Sequence, residues 1–377
     1  MAIMPGTMLG VLGGGQLGRM FVQAAQQMGY PVTVLDPDSG SPAGRVADAF
    51  ICANYDDPEA LEKLGSQCAA ITTEFENIPA NSLRNLAKSC VVSPDAYSVS
   101  VAQNRIAEKQ FLSINGFTVA PFAVIQQADD FADQDAADLL PGILKVSQFG
   151  YDGKGQVKVA SAAEFPAAYA QLNHAVCVLE KFMPLKCEIS VVVARSGDGK
   201  VATFPVSENH HVNGILDVSI VPARISPLLA GKAQKIACQI AKNLNYQGVL
   251  CVEFFVLQDD ELVINEIAPR PHNSGHYSID ACVTSQFGQQ VRTLCGLPLG
   301  STAQLSPAVM INLLGDVWRN GDPDWNTVLQ HPMAKLHLYG KAEARPGRKM
   351  GHFTVLNSDI ETALSEALHI KQQLDQS

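Results

Sequence analysis

The opening segment Met8-Leu9-Gly10-Val11-Leu12-Gly13-Gly14-Gly15-Gln16-Leu17-Gly18-Arg19 leaves the start of this chain few ways to fold. An apolar run, a tight glycine turn and a helical pattern lasting through Met28 predict a strand, a turn and a helix N-terminus. A second apolar run, Val32-Thr33-Val34-Leu35, follows at once and predicts the next strand of an α/β unit. Gly13, Gly15 and Gly18 satisfy G-x-G-x-x-G, and Asp36 ends the second strand at about the spacing of a ribose-binding acid.

A nicotinamide-dependent oxidoreductase would carry that fingerprint. The chain downstream departs from it. One helix-like segment, Pro58 to Leu64, leads to Ala70-Ile71-Thr72-Thr73-Glu74-Phe75-Glu76-Asn77-Ile78-Pro79, and the α/β pattern ends near Ser93-Pro94, too early for a full six-strand dinucleotide domain. The opening therefore reads as Rossmann-like, with a helix N-terminus whose bare amides can hold any phosphate monoester.

With 377 residues and 47% hydrophobic content, the chain can bury a large core divided into two or three domains. A net charge of -10 argues against a nucleic-acid partner, whose phosphate backbone calls for a basic surface. Nine cysteines without C-x-x-C spacing read as thiols in a reducing compartment. No apolar run approaches the ~18 residues of a membrane span, and no basic residue precedes the first apolar stretch as in a signal peptide, so a cytoplasmic protein is expected.

Two carboxylates carry the strongest chemical signal. Glu253 lies in Cys251-Val252-Glu253-Phe254-Phe255 and Glu266 in Val263-Ile264-Asn265-Glu266, two apolar runs separated by Gln258-Asp259-Asp260-Glu261 that predict an antiparallel hairpin. If Leu257 pairs with Leu262, Glu253 falls opposite Glu266, on a face with Phe255 and Ile264 and with Cβ atoms roughly 5 Å apart. Such a pair repels unless a cation compensates it, and hard oxygens suit Mg2+ on a phosphate-bearing ligand; taken alone, two acids on a solvated strand face fit as well.

A second glycine-rich segment, Gly150-Tyr151-Asp152-Gly153-Lys154-Gly155-Gln156, lies between strand-like Leu144-Lys145-Val146 and Val157-Lys158-Val159-Ala160. Strand, loop, strand is not a Walker P-loop, which must feed a helix. It reads either as an ordinary hairpin or as a flap whose amides and Lys154 close over a polyphosphate, with Lys145 reaching in from the strand. Further on, the connector Glu180-Lys181-Phe182-Met183 before Pro184 can offer backbone groups to adenine, and Glu188 can accept from ribose hydroxyls.

Lys145, the flap, the connector, Glu188, Glu253 and Asn265-Glu266, in that order, resemble the ATP-grasp enzymes over nearly the whole chain. Gly13 to Met20, Thr73 to Asn77, Gly150 to Gln156, Ala268 to His276 and Arg345 to His352 narrow the resemblance to the N5-carboxyaminoimidazole ribonucleotide synthetases of purine biosynthesis. The fold so implied is α/β and α+β: a Rossmann-like N-terminal domain over 1–100, an ATP-grasp domain over 101–300 with its flap lobe at about 120–185, and a small β-rich C-terminal domain over 301–377.

The same resemblance implies the site. ATP would be held by Arg105, Lys145, the flap residues Gly150, Tyr151, Asp152, Gly153, Lys154, Gly155 and Gln156, the connector Glu180, Lys181, Phe182 and Met183, then Glu188, His211, Asn265 and Glu266. Mg2+ would sit on Glu253 and Glu266. The partner 5-aminoimidazole ribonucleotide would meet Gly15, Gln16, Leu17, Glu76, Asn273, Ser274 and the basic cluster of Lys341, Arg345 and Arg348, with Lys349 beside them. Lys145, Tyr151, Asp152, Lys154, Arg270, His272 and Glu76 would carry the chemistry, Arg270 as a grip for bicarbonate or carboxyphosphate. Lys154 stands where many relatives carry Arg, a change that keeps charge and loses the bidentate fork.

The implied reaction is attack of bicarbonate on the γ-phosphate of ATP, followed by carboxylation of the ribonucleotide amine. A homodimer is also implied. A nicotinamide oxidoreductase, a non-catalytic nucleotide-binding protein and other ATP-grasp carboxylases or ligases remain as alternatives. Two four-residue periodicities, Ile236, Ile240, Leu244 and Ile279, Val283, Phe287, Val291, predict the buried stripes of two amphipathic helices.

Overall fold

The computed structural model describes residues 2–376 apart from 134–135, 149 and 151–153. Among the described residues, the strands lie in three sheets. Strands β1 (Leu9–Leu12), β2 (Val32–Asp36), β3 (Ala49–Cys52), β4 (Ala70–Thr73) and β5 (Val91–Val92) make a five-stranded parallel sheet in the order β3-β2-β1-β4-β5. β1 and β2 are buried along their whole length, because apolar layers cover both sheet faces; parallel strands of this kind read as unbroken apolar runs. Helix α1 (Gln16–Gln27) packs Phe21, Val22 and Ala25 on one face. Helices α2 (Pro58–Gln67) and α3 (Ala80–Leu86) pack Leu61, Leu64, Leu83 and Leu86 on the other. α2 starts where predicted, because Asp57 caps it through the Ala60 amide and Pro58 fits its first turn, and it runs three residues beyond Leu64.

Helices α4 (Ala96–Ala102) and α5 (Arg105–Ile114) lead into the second sheet, β6 (Phe122–Ile125), β7 (Gly142–Val146), β8 (Gln156–Val159) and β9 (Cys177–Lys181), ordered β6-β9-β7-β8. The short helix α6 (Asp130–Asp133) and α7 (Phe165–Gln171) belong to this lobe. The predicted strand, loop, strand is present: β7 pairs antiparallel with β8, and the Val146 amide donates to the Gly155 carbonyl at 2.9 Å. Gly155 has φ +72, and a Cβ there would come within 2.6 Å of Val146, so the return from the loop needs glycine.

The third sheet holds β10 (Leu185–Arg195), β11 (Val201–Thr203), β12 (Ser207–Val212), β13 (Ile215–Val221), β14 (Gly248–Leu257), β15 (Leu262–Ala268), β16 (Ala308–Leu314), β17 (Ala334–Leu338) and β18 (Lys349–Leu356). Its order is β15-β14-β10-β12-β13-β16-β18-β17, with β11 on β10. The β-rich C-terminal unit therefore shares this sheet through the β13–β16 pairing. Helix α8 (Pro227–Asn243) covers β10 and β14 with Ala237, Ile240 and Ala241, and Leu244 is buried with them while Ile236 is half-buried, as its periodicity predicts.

The second periodicity is not one helix. α9 (Ser278–Ala281) stops, and α10 (Gln286–Leu294) restarts after Ser285 caps it through the Gly288 amide. Between them the Val283 amide donates to the Ala303 carbonyl and its side chain is 55% exposed. Phe287, Val291 and Leu294 of α10 then pack on the first sheet beside α1. α11 (Asn326–Leu329) precedes β17, and α12 (Ile360–Gln376) closes the C-terminal strands with Ala363, Ala367, Ile370 and Leu374.

Candidate active site

Glu253 and Glu266 do face each other across β14 and β15, but not by the predicted register. The Leu257 amide donates to the Glu261 carbonyl, and Asp260 lies at φ +62, which makes a three-residue turn with a left-handed last residue. Val256 thus pairs with Leu262 and Phe254 with Ile264, one residue off the pairing of Leu257 with Leu262 and of Phe255 with Ile264. A bulge at Asn265 absorbs the offset and restores the opposition of the two acids.

Each acid has its own cation. His272 Nε2 lies 3.0 Å from Glu253 Oε1, and Arg105 Nη1 lies 3.3 Å from Glu266 Oε2. Burial opposes charge on Glu253, yet His272 and His211 outweigh it and hold the carboxyl below its ordinary range. Burial likewise opposes the His272 imidazolium, and the neighbouring Cys251 and Glu253 overcome it and raise its pKa. Asn265 Oδ1 is buried without a hydrogen-bond partner. Among the described residues no third acid or histidine completes a metal cluster, so the donors suited to Mg2+ are the two carboxylates and this amide oxygen.

Behind His272 runs a buried polar chain. His272 Nδ1 meets Ser274 Oγ at 2.8 Å, Ser274 Oγ meets Ser190 Oγ at 2.7 Å, Asn209 Nδ2 donates to Ser190 Oγ, and Ser219 donates to Asn209 Oδ1. It fixes the ring that faces Glu253. Asn273 also turns inward, trading two amide hydrogen bonds with Asn312 of β16. Glu188 Oε2 lies 2.8 Å from His211 Nδ1, whose pKa it raises against the effect of burial.

In the flap lobe, Lys145 and Glu180 stand on neighbouring strands and meet at 3.1 Å. Arg105 ties this lobe to the hairpin, because its amide donates to the Ser147 carbonyl while its side chain reaches Glu266. The amides of Lys181 and Phe182 are taken by the carbonyls of Pro121 and Pro141, and Lys158 Nζ lies 4.6 Å over the Phe182 ring. Gly150, Lys154, Gly155 and Gln156 flank the segment 151–153, so the expected roles of Tyr151, Asp152 and Gly153 lie outside the described residues.

The glycine turn is not the open phosphate cradle its sequence predicts. Glu74 Oε1 accepts from the Gly15 amide and Oε2 from the Gly18 amide, both at 2.7 Å. The chain's own carboxylate occupies the positive end of α1, so a ligand reaching Gln16 and Leu17 meets Glu74 beside them. Burial raises Glu74 to about 6, against the two amides and Lys341, whose charge acts in the opposite direction. Asp36 is also committed: it accepts from the Gly14 amide at 2.6 Å, the Tyr55 hydroxyl at 2.5 Å and the Asp38 amide at 2.8 Å. It is not free to read a ribose.

Arg270 Nε donates to Glu76 Oε2 at 2.5 Å. Burial opposes the Glu76 charge, and Arg270 outweighs it and holds the carboxyl at about 2. Of the basic cluster, Lys341 acts on Glu74 and Lys349 on Glu253, whereas the Arg345 side chain is exposed and lies 3.3 Å from the equally exposed Glu343. Arg348 donates to the Glu343 carbonyl. Sequence reasoning passed over Glu74, Lys109, Glu108, Ser190 and Asn209. A lysine and an acid, Lys109 and Glu108, on the buried face of α5 are a readable anomaly; Glu74 and the two polar strand residues are not.

Matching family models divide the chain in the same order: a ribonucleotide synthetase preATP-grasp domain over 6–103, an ATP-grasp domain over 110–287 and a phosphoribosylaminoimidazole carboxylase C-terminal domain over 308–366. Paired acids on a hairpin, tied through Arg105 to a lysine-bearing flap lobe in this fold, define an ATP-dependent carboxylating ligase of the ATP-grasp class. The chain is 44% identical to the N5-carboxyaminoimidazole ribonucleotide synthase of Bacillus subtilis over 97% of its own length and 95% of that protein. A solved ADP complex of an N5-carboxyaminoimidazole ribonucleotide synthetase superposes with a TM-score of 0.93 at 46% identity, covering 99% of both chains. The Aspergillus clavatus enzyme in complex with ADP and 5-aminoimidazole ribonucleotide gives 0.89 at 31% identity, covering 98% of this chain and 99% of that one. This chain belongs to the N5-carboxyaminoimidazole ribonucleotide synthase family.

Proposed function

We propose that the chain uses ATP and bicarbonate to carboxylate the exocyclic amine of 5-aminoimidazole ribonucleotide, giving N5-carboxyaminoimidazole ribonucleotide, ADP and phosphate. The observation that carries this reading is the bulged hairpin, which sets Glu253 against Glu266 and joins them through Arg105 to the flap lobe. Bicarbonate oxygen attacks the γ-phosphorus, the bond to ADP breaks, and carboxyphosphate forms. The amine then takes the carboxyl carbon, directly or as released carbon dioxide, and phosphate leaves.

Lys145 and Arg105 offset charge that builds on the transferred group. Mg2+ held by Glu253 and Glu266, with Asn265 as the third oxygen, supplies charge compensation on the polyphosphate when bound. Arg270 has guanidinium hydrogens left over from Glu76 for a carboxylate-like anion. Glu76, at about 2, is a poor base and serves to hold Arg270; His272 serves to hold Glu253. Lys341, whose charge acts on Glu74, is a cation available to a ribonucleotide phosphate at Gly15 to Leu17, with Arg345 and Arg348 of the same basic cluster. The flap, including Lys154, shields carboxyphosphate from water.

We assign the units to 1–100, 101–300 and 301–377 and place the protein in the cytoplasm as a homodimer, as the family resemblance implies. Among the described residues no helix is long and apolar enough to cross a membrane.

Purified protein is expected to release phosphate from ATP only when the ribonucleotide and bicarbonate are both present. Release indifferent to the ribonucleotide would discard this substrate while keeping an ATP-grasp ligase. The Asp36 contacts lead to a second expectation: ADP binds, and NADH fluorescence is unchanged by the protein. NADH binding comparable to ADP would revive the oxidoreductase reading.

A further inference from the structure

Lys109 is 1% exposed on α5, a level of burial that an ammonium tolerates only beside a partner. The buried residues of this helix are Glu108, Lys109 and Leu112, so the face that packing alone would make apolar carries charge. Lys109 Nζ lies 3.2 Å from Glu180 Oε2, at an angle that makes an ion contact without a hydrogen bond. The same oxygen accepts from Lys145 Nζ at 3.1 Å. Glu180 Oε1 is buried and has no partner.

One carboxylate thus serves two ammonium groups. Lys145 and Glu180 alone would form a neutral pair, leaving Arg105, itself paired with Glu266, to meet a polyphosphate there. Adding Lys109 leaves the trio at one net positive charge. Glu108 is engaged elsewhere: its Oε1 accepts from the Ile267 amide. A methionine at 109 would fill the space and avoid desolvating an ammonium, so packing does not account for the residue.

We propose that Lys109 is a positioning residue for the nucleotide: it holds Glu180 from behind and shares its charge with Lys145, so that the trio keeps positive charge for the polyphosphate. The inference rests on the nucleotide reading above. It separates from a simple staple between α5 and the flap lobe, because a charge role touches phosphates and spares the nucleoside.

The test is competition binding of adenosine, ADP and ATP to the full chain against a fluorescent nucleotide, with circular dichroism to check folding. In Lys109→Met, affinity for ADP and ATP is expected to fall about tenfold and that for adenosine to stay within about twofold, with the KM for ATP rising more than kcat falls. Lys109→Arg is expected to stay within about threefold of wild type for all three ligands. Lys109→Gln, which keeps a donor for Glu180 without charge, is expected to show the loss for ADP and ATP with adenosine spared, as for Lys109→Met, if the methionine variant does not fold. Equal losses for adenosine and ADP, or unchanged ADP affinity, would overturn the inference. Wild-type protein that binds no ADP would instead overturn the nucleotide reading and this inference with it.

Discussion

Glu266→Ala is expected to lower ribonucleotide-dependent phosphate release about 10³-fold, equivalent to ~4 kcal/mol of transition-state stabilisation. Glu253 already spends one oxygen on His272, so removing Glu266 leaves the proposed metal one partly engaged carboxylate and an amide oxygen. The variant should still fold, because Arg105 loses a partner at a side chain that is itself 36% exposed. Chelator should abolish turnover in the wild type, added magnesium should restore it, and the variant should respond to neither. Turnover above a tenth of the wild-type value would remove Glu266 from the metal site.

The other large effect falls on Arg270. Arg270→Met strands Glu76 beside the site, and urea denaturation should show a loss of ~3 kcal/mol, the lower end for a broken buried pair because each side chain is about one-fifth exposed. Activity should fall at least about 10²-fold, since the proposed anion grip is gone. The sign with pH follows from Glu76, which sits at about 2 when folded and about 4.3 when unfolded. Its contribution is fully present above pH ~4.3 and is lost as pH falls toward 2. Wild type should therefore show a steeper acid limb than Arg270→Met over that window. Adding Glu76→Gln to the variant should recover part of the stability, because no uncompensated carboxylate is left. A single variant within 1 kcal/mol of wild type would show that the pair is not a structural one.

Local pattern made much of this legible. Strand, glycine turn and helix at the start, a glycine-rich return between β7 and β8, and two acids on one hairpin are signals carried by neighbouring residues, and each appears where it was expected. The acids met through a compensating offset: the turn took one residue fewer than expected and Asn265 bulged out. Turn type depends on whether Asp260 adopts a left-handed conformation, and an Asp in that position permits it without requiring it.

What pattern could not carry was the use made of each charge. Asp36 and the amides of Gly15 and Gly18 match a dinucleotide fingerprint, yet Tyr55 and Glu74, brought in by later segments, consume them. Likewise the stripe from Ile279 to Val291 continues through Val283 in periodicity, but Ser285 caps a new helix and the 303 segment takes the Val283 amide.

Sequence by itself therefore determined the elements, their order and the residue types available for nucleotide and phosphate chemistry, because strand, turn and helix preferences act over a few neighbouring positions. Tertiary structure alone decided which carboxylate meets which cation. Lys109 with Glu180, Arg270 with Glu76 and Glu74 with the α1 amides join groups 56 to 194 positions apart, and such pairing energies exist only once the sheets and helices have brought the charges out of water together.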